Sequence, residues 1–125
     1  ADVEPARINR NASPPHGVCQ LIFARASDLA RAAQTILMRL IADPSAPGGT
    51  YHFSNSGVIS WYDFAVAIRD LSGLQCRVQP IPSSQYPTPA KRPAYSVMDT
   101  TKIFSTFKLA PKPWRESLIR CLDKL

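Results

Sequence analysis

The stretch Tyr86-Pro-Thr-Pro-Ala-Lys-Arg-Pro-Ala-Tyr-Ser96 holds the side chains best suited to grip a ligand. Its alternating prolines fix φ and keep the backbone extended, so Thr88, Lys91 and Arg92 are expected on a loop with little conformational entropy left to lose on binding. Arg92 can hold a phosphate through two parallel donors, Lys91 supplies a point charge, and Tyr86 or Tyr95 can stack or donate. That set suits a planar or phosphorylated ligand. The same prolines would equally serve as a rigid corner whose cations face water, since exposed Lys and Arg are common on any surface.

Other constellations are thinner. The five glycines fall in neither G-x-G-x-x-G nor G-x-x-x-x-G-K-[ST] spacing, so the chain lacks the usual phosphate cradles of nucleotide chemistry. His16 and His52 have no Cys or carboxylate at ligand spacing, which argues against zinc. No serine occupies a G-x-S-x-G elbow. Cys19, Cys76 and Cys121 are too far apart for a C-x-x-C pair, and an odd number cannot close completely into intrachain disulfides; buried or partly buried free thiols are expected. No catalytic, cofactor-binding or metal-binding residue is assigned.

The loop must be positioned by what flanks it. Ser27 as N-cap, Asp28 at the positive end of the dipole, and Leu29, Ala33, Ile36, Leu37 and Leu40 on one face predict a helix to about Asp43. Thr50 to Ser54 alternates like a short strand, and Asn55-Ser-Gly57 reads as a turn. Ser60, three residues before Asp63, opens a second helix with a buried stripe of Trp61, Phe64, Ala65, Ile68 and Leu71, stopped by Gly73. Cys76 to Ile81 reads as an edge strand limited by Pro80, and the four prolines in the twelve residues from Pro82 through Pro93 demand a shaped loop. Asp99 and Thr100 can cap a short helix over Lys102 to Phe107. Pro113 opens a last helix, with Trp114, Leu118, Cys121, Leu122 and Leu125 on one face. Residues 1–25, rich in proline and without sustained period, are expected to be irregular, with at most a short apolar piece at Val18 to Phe23.

These elements describe an α/β lobe, residues 26–125, of helices packed on a few short strands. A chain of 125 residues can bury roughly two-thirds of its unfolded surface, enough for a core without disulfides or metal. Its longest apolar stretch falls far short of the roughly 20 residues that span a bilayer, so no membrane segment is expected. No secretory leader is read at the start, which makes the cytoplasm the expected address. The balance of 15 Lys and Arg against 9 Asp and Glu raises the alternative of a basic adaptor for nucleic acid or an acidic partner. The cations are spread over helices, loop and tail, with no stripe and no aromatic platform, so nucleic acid is not expected as a partner.

The blocks Gly49-Thr-Tyr-His-Phe-Ser54, Ser60-Trp-Tyr-Asp-Phe-Ala65, Tyr86 to Ser96, Ser96-Val-Met-Asp-Thr-Thr-Lys102 and Trp114-Arg-Glu-Ser-Leu118 resemble, in this order, the C-terminal part of the dTDP-4-dehydrorhamnose reductases. The resemblance implies an extended short-chain dehydrogenase, whose N-terminal Rossmann part holds NADPH or NADH and whose smaller lobe closes over the sugar nucleotide. It also implies the reaction, hydride delivery to the 4-keto carbon of dTDP-4-dehydro-L-rhamnose to give dTDP-L-rhamnose for polysaccharide. By resemblance, Lys91 and Arg92 contact the diphosphate or shape the pocket, Tyr86 and Thr88 border it, and Trp61 and Phe64 are core. No Tyr here is followed four residues later by Lys, so the family's proton donor is missing from this chain. The Rossmann part is therefore expected from a missing N-terminal segment. The chain alone is expected to bind no nicotinamide cofactor and to be inactive.

Overall fold

The computed structural model describes residues 20–21, 23–90 and 93–125. In chain order the elements are β1 (Gln20–Leu21), α1 (Ala26–Ala42), β2 (Ile59–Ser60), α2 (Trp61–Leu71), a single 3₁₀ turn (Ser83–Gln85), α3 (Thr101–Phe107) and α4 (Trp114–Leu122). The two short strands pair antiparallel, Gln20 opposite Ser60 and Leu21 opposite Ile59. The buried apolar side chains are Ala32, Ile59, Ala67, Ile103, Phe107 and Leu118, so the core draws on all four helices and β2.

Local chemistry sets the ends of α2. The Ser60 hydroxyl accepts the Asp63 N–H at 3.0 Å while the Asp63 carboxylate accepts the Ser60 N–H at 2.8 Å, a complete capping box. At the other end the Gly73 N–H reaches Asp70 O and the Leu74 N–H reaches Arg69 O, a Schellman finish that requires the left-handed backbone Gly73 adopts (φ 64°). α4 begins where the chain is stitched to residue 56. The Ser56 N–H donates to Lys112 O at 2.8 Å and the Trp114 N–H to Ser56 O at 2.9 Å. This brings the backbone of Gly57 (φ 106°) onto the Trp114 indole, where an added Cβ would stand 2.5 Å from Cδ1. Phe64 fills the space beside it, 6.3 Å from the Trp114 ring and 5.0 Å from that of Phe23.

Several expectations are corrected. Neither 50–54 nor 76–81 forms a strand, because no strand among the described residues runs beside them and a strand exists only as a pairing. The first segment is held by side chains instead: the Tyr51 ring meets Phe107 edge-on at 5.1 Å, and Lys102 Nζ lies 4.4 Å over that ring while donating to Thr50 O at 2.9 Å. Cys76, on the unpaired second segment, is exposed rather than buried; Cys121 is half-buried, and Cys19 lies outside the described residues. α1 starts at Ala26, with Arg25 rather than Ser27 as N-cap and no side-chain cap bond. Its inward face is Asp28 and Ala32, while Leu29, Leu37 and Leu40 are exposed. Trp61 is 60% exposed, at the edge of the aromatic cluster rather than in the core, and Leu125 is fully exposed beyond the end of α4. Pro113 takes the cap position of α4, one residue before its first turn. His16 and the rest of residues 1–19 lie outside the described residues, as does Ile22 of the expected apolar piece.

Candidate functional site

The proline-rich loop leaves Pro82 in an extended conformation (ψ 152°) and closes a 3₁₀ turn at once, with the Gln85 N–H on Pro82 O at 2.9 Å and the Tyr86 N–H on Ser83 O at 3.2 Å. This places the Tyr86 ring in solvent, 69% exposed, free to stack on a planar group. Thr88 is half-buried and turns its hydroxyl back on the loop, donating to Ala90 O at 2.6 Å, so it shapes the backbone ahead of the two cations. Tyr86 and Thr88 thus share one stretch of stiffened chain. Lys91 and Arg92 lie outside the described residues. Downstream, Asp99 accepts the Thr101 N–H at 2.9 Å and so serves the start of α3.

A second cluster, not foreseen from the sequence, ties the lobe together beneath the surface. Asn55 is 1% exposed and Ser117 is fully buried. The Asn55 side-chain oxygen accepts the Arg25 N–H at 2.9 Å, and its Nδ2 faces Ser117 Oγ at 2.9 Å, Asp28 Oδ2 at 3.1 Å and Lys112 O at 3.2 Å. An amide nitrogen has two hydrogens, so one of these three acceptors is served by a shared hydrogen. Ser117 donates to Asp28 Oδ2 at 2.6 Å, which leaves its lone pairs for Asn55 and for Arg120 Nη2 at 3.2 Å. Arg120 also pairs with Asp28 Oδ1 at 3.4 Å, and Arg25 caps the carbonyl of Arg120. Burial pushes the Asp28 carboxyl up, but the hydrogen bonds from Ser117 and Asn55 and the charges of Arg120 and Arg25 outweigh it and hold the group below its ordinary 3.8.

The cluster joins the lead-in and first turn of α1, residue 55 and the middle of α4, residues up to 95 positions apart. It holds the scaffold and offers no nucleophile or proton donor to solvent. The only sequence signal for it was a serine, Ser117, on the otherwise apolar face of the last helix. Among the described residues no three His, Cys, Asp or Glu side chains converge as a metal site, and no helix is long and apolar enough to cross a membrane.

Residues 24–125 match the family model described as the RmlD substrate binding domain. The chain is 37% identical over 97 residues to the dTDP-4-dehydrorhamnose reductase of Aggregatibacter actinomycetemcomitans, which covers 73% of this chain and 33% of the relative. It is 43% identical over 80 residues to the spore coat polysaccharide biosynthesis protein SpsK of Bacillus subtilis, covering 64% and 28%. Among solved structures, the dTDP-4-dehydrorhamnose reductase of Clostridium acetobutylicum superposes with a TM-score of 0.71 at 33% identity, over 87% of this chain and 36% of that one. The Bacillus anthracis reductase, solved in complex with NADP, gives 0.71 at 26% identity over 86% and 36%. The chain spans about a third of the length of the curated relatives it matches.

Proposed function

This chain belongs to the RmlD substrate-binding domain family, and from that premise we propose that it is the sugar-nucleotide half of a dTDP-4-dehydrorhamnose reductase, residues 26–125 forming the lobe. In the complete enzyme the activity is reduction of dTDP-4-dehydro-L-rhamnose to dTDP-L-rhamnose with NADPH or NADH, in the cytoplasm. The observation that carries this reading is that the lobe's own fold matches the corresponding third of solved reductases.

Among the described residues nothing fits a nicotinamide cofactor: Gly57 is filled by Trp114, Gly73 ends α2, and Gly48 and Gly49 follow α1 rather than opening a helix, so none of these four admits a pyrophosphate at a helix N-terminus. The hydride donor and the acid that protonates the new hydroxyl therefore belong to a separate nucleotide-binding part of Rossmann type. What this chain contributes is recognition. Arg92 grips the diphosphate through two charge-assisted hydrogen bonds and Lys91 adds a point charge, each worth more than a neutral bond. Tyr86 borders the pocket with an exposed ring, and Thr88 fixes the loop that presents the cations. Calorimetric titration tests this: dTDP should bind the isolated chain weakly and saturably, and NADPH should not. Absence of dTDP binding, or binding of NADPH in its place, would overturn the reading.

A further inference from the structure

The ammonium of Lys102 is held from three sides, although the residue is exposed. Its Nζ donates to Thr50 O at 2.9 Å and stands 4.4 Å over the Tyr51 ring. The backbone of Gly49 (φ 123°) passes so close that an added Cβ would lie 3.4 Å from that nitrogen. The seat is itself braced: the Tyr51 hydroxyl donates to Pro47 O at 2.7 Å, and its ring meets Phe107 edge-on. Among the described residues no carboxylate pairs with Lys102. Ordering so long a side chain costs conformational entropy that an exposed contact barely offsets, so stability alone is a poor account of the seat.

What the seat fixes is the roll of α3. That helix has only two turns, too few to be stable by itself, and its buried side chains, Ile103 and Phe107, lie one turn apart on a single face. One such pair sets the depth of a helix but resists rotation about its axis poorly. Lys102 projects about 100° round from Ile103 and blocks that rotation. The arm that descends from the proline-rich loop, residues 93–100, runs straight into the first turn of α3, where Asp99 accepts the Thr101 N–H and Thr100 O accepts the Phe104 N–H. A roll of about 20° on a Cα radius of about 2.3 Å carries that junction about 0.8 Å, a displacement on the scale that degrades a preorganised site. We propose that Lys102 is a positioning residue for ligand recognition: it touches no ligand and sets, through α3, the angle at which the loop's descending arm leaves the lobe. Its effect on the sugar nucleotide rests on the proposed function.

The test sets the wild-type chain beside Lys102→Met, which keeps the stem and removes the charge, and Lys102→Arg, which can still donate to Thr50 O and lie over the Tyr51 ring. In free wild type, N–H residual dipolar couplings of residues 94–107 should fit one frame with those of α1 and α4. In Lys102→Met they should depart from that frame while α1 and α4 keep it, and dTDP should bind at least about 5-fold more weakly. Lys102→Arg should restore the frame and bring dTDP affinity within about 2-fold of wild type. Unchanged couplings in Lys102→Met overturn the proposal; weaker dTDP binding in that case marks Lys102 as a direct contact. Altered couplings with unaltered dTDP affinity overturn it as well, as does a Lys102→Arg chain no better than Lys102→Met. A Lys102→Met chain that unfolds, or loses the common frame throughout, shows a general stabilising role and does the same. Should wild type bind no dTDP, the proposed function fails, and the couplings of the two variants alone decide for or against Lys102.

Discussion

Replacing Asn55 by alanine should destabilise the lobe more than its modest volume suggests. The amide serves four partners, the Arg25 N–H, Asp28 Oδ2, Ser117 Oγ and Lys112 O, at a position 1% exposed. Each buried polar group left unpaired costs about 1–3 kcal/mol. Ser117 and Arg120 still serve Asp28, and the groups around Arg25 are only part-buried, so the full sum does not apply. A net loss of about 2–4 kcal/mol remains. For a domain between the 100- and 150-residue classes this corresponds to a fall in Tm of about 10 °C, read by circular dichroism. Asn55→Asp keeps the acceptor for Arg25 but sets a second carboxylate against Asp28, so its penalty should shrink as pH falls toward 4. Exposed Gln34→Ala, as control, should stay within about 0.5 kcal/mol of wild type. An Asn55→Ala protein equal in stability to wild type would refute the idea that this cluster holds α1, residue 55 and α4 together.

Gly57→Ala should cost about 1–3 kcal/mol in chemical denaturation, because the backbone is left-handed there and the new Cβ meets Trp114; an unchanged midpoint would contradict the stitched start of α4. Stability should also depend on acid. The folded pKa of Asp28 lies below its ordinary 3.8, so its carboxylate stabilises the fold fully above that value, and the contribution is lost as pH falls through the lower folded value. Denaturation midpoints measured from pH 5 to 2 should show this slope in wild type and a shallower one in Asp28→Asn.

What the sequence made legible was local. The cap at Ser60 and Asp63 and the stop at Gly73 are interactions within a few residues, and both stand as read. The extent of α1 was also legible, but periodicity reports which face of a helix is apolar and not which body it meets; Leu29, Leu37 and Leu40 are apolar and face outward. The segments at 50–54 and 76–81 have strand composition without a strand's neighbour, a condition that alternation cannot reveal. The Asn55 cluster escaped because its contacts join residues as far apart as Arg25 and Arg120, 95 positions, with no spacing rule connecting them. The loop's binding chemistry is a reading of proline and charge alone: the Tyr86 ring is exposed, Lys91 and Arg92 lie outside the described residues, and their role is the proposal that titration tests.

The account turns on whether this lobe recognises a sugar nucleotide through its proline-stiffened loop. Titration of dTDP into wild type and into Arg92→Ala measures that directly. The expected result is saturable binding by wild type, weakened about 10- to 100-fold in the variant, as the loss of a charge-assisted grip worth about 1.5–3 kcal/mol implies. Equal affinity of the two proteins would contradict it.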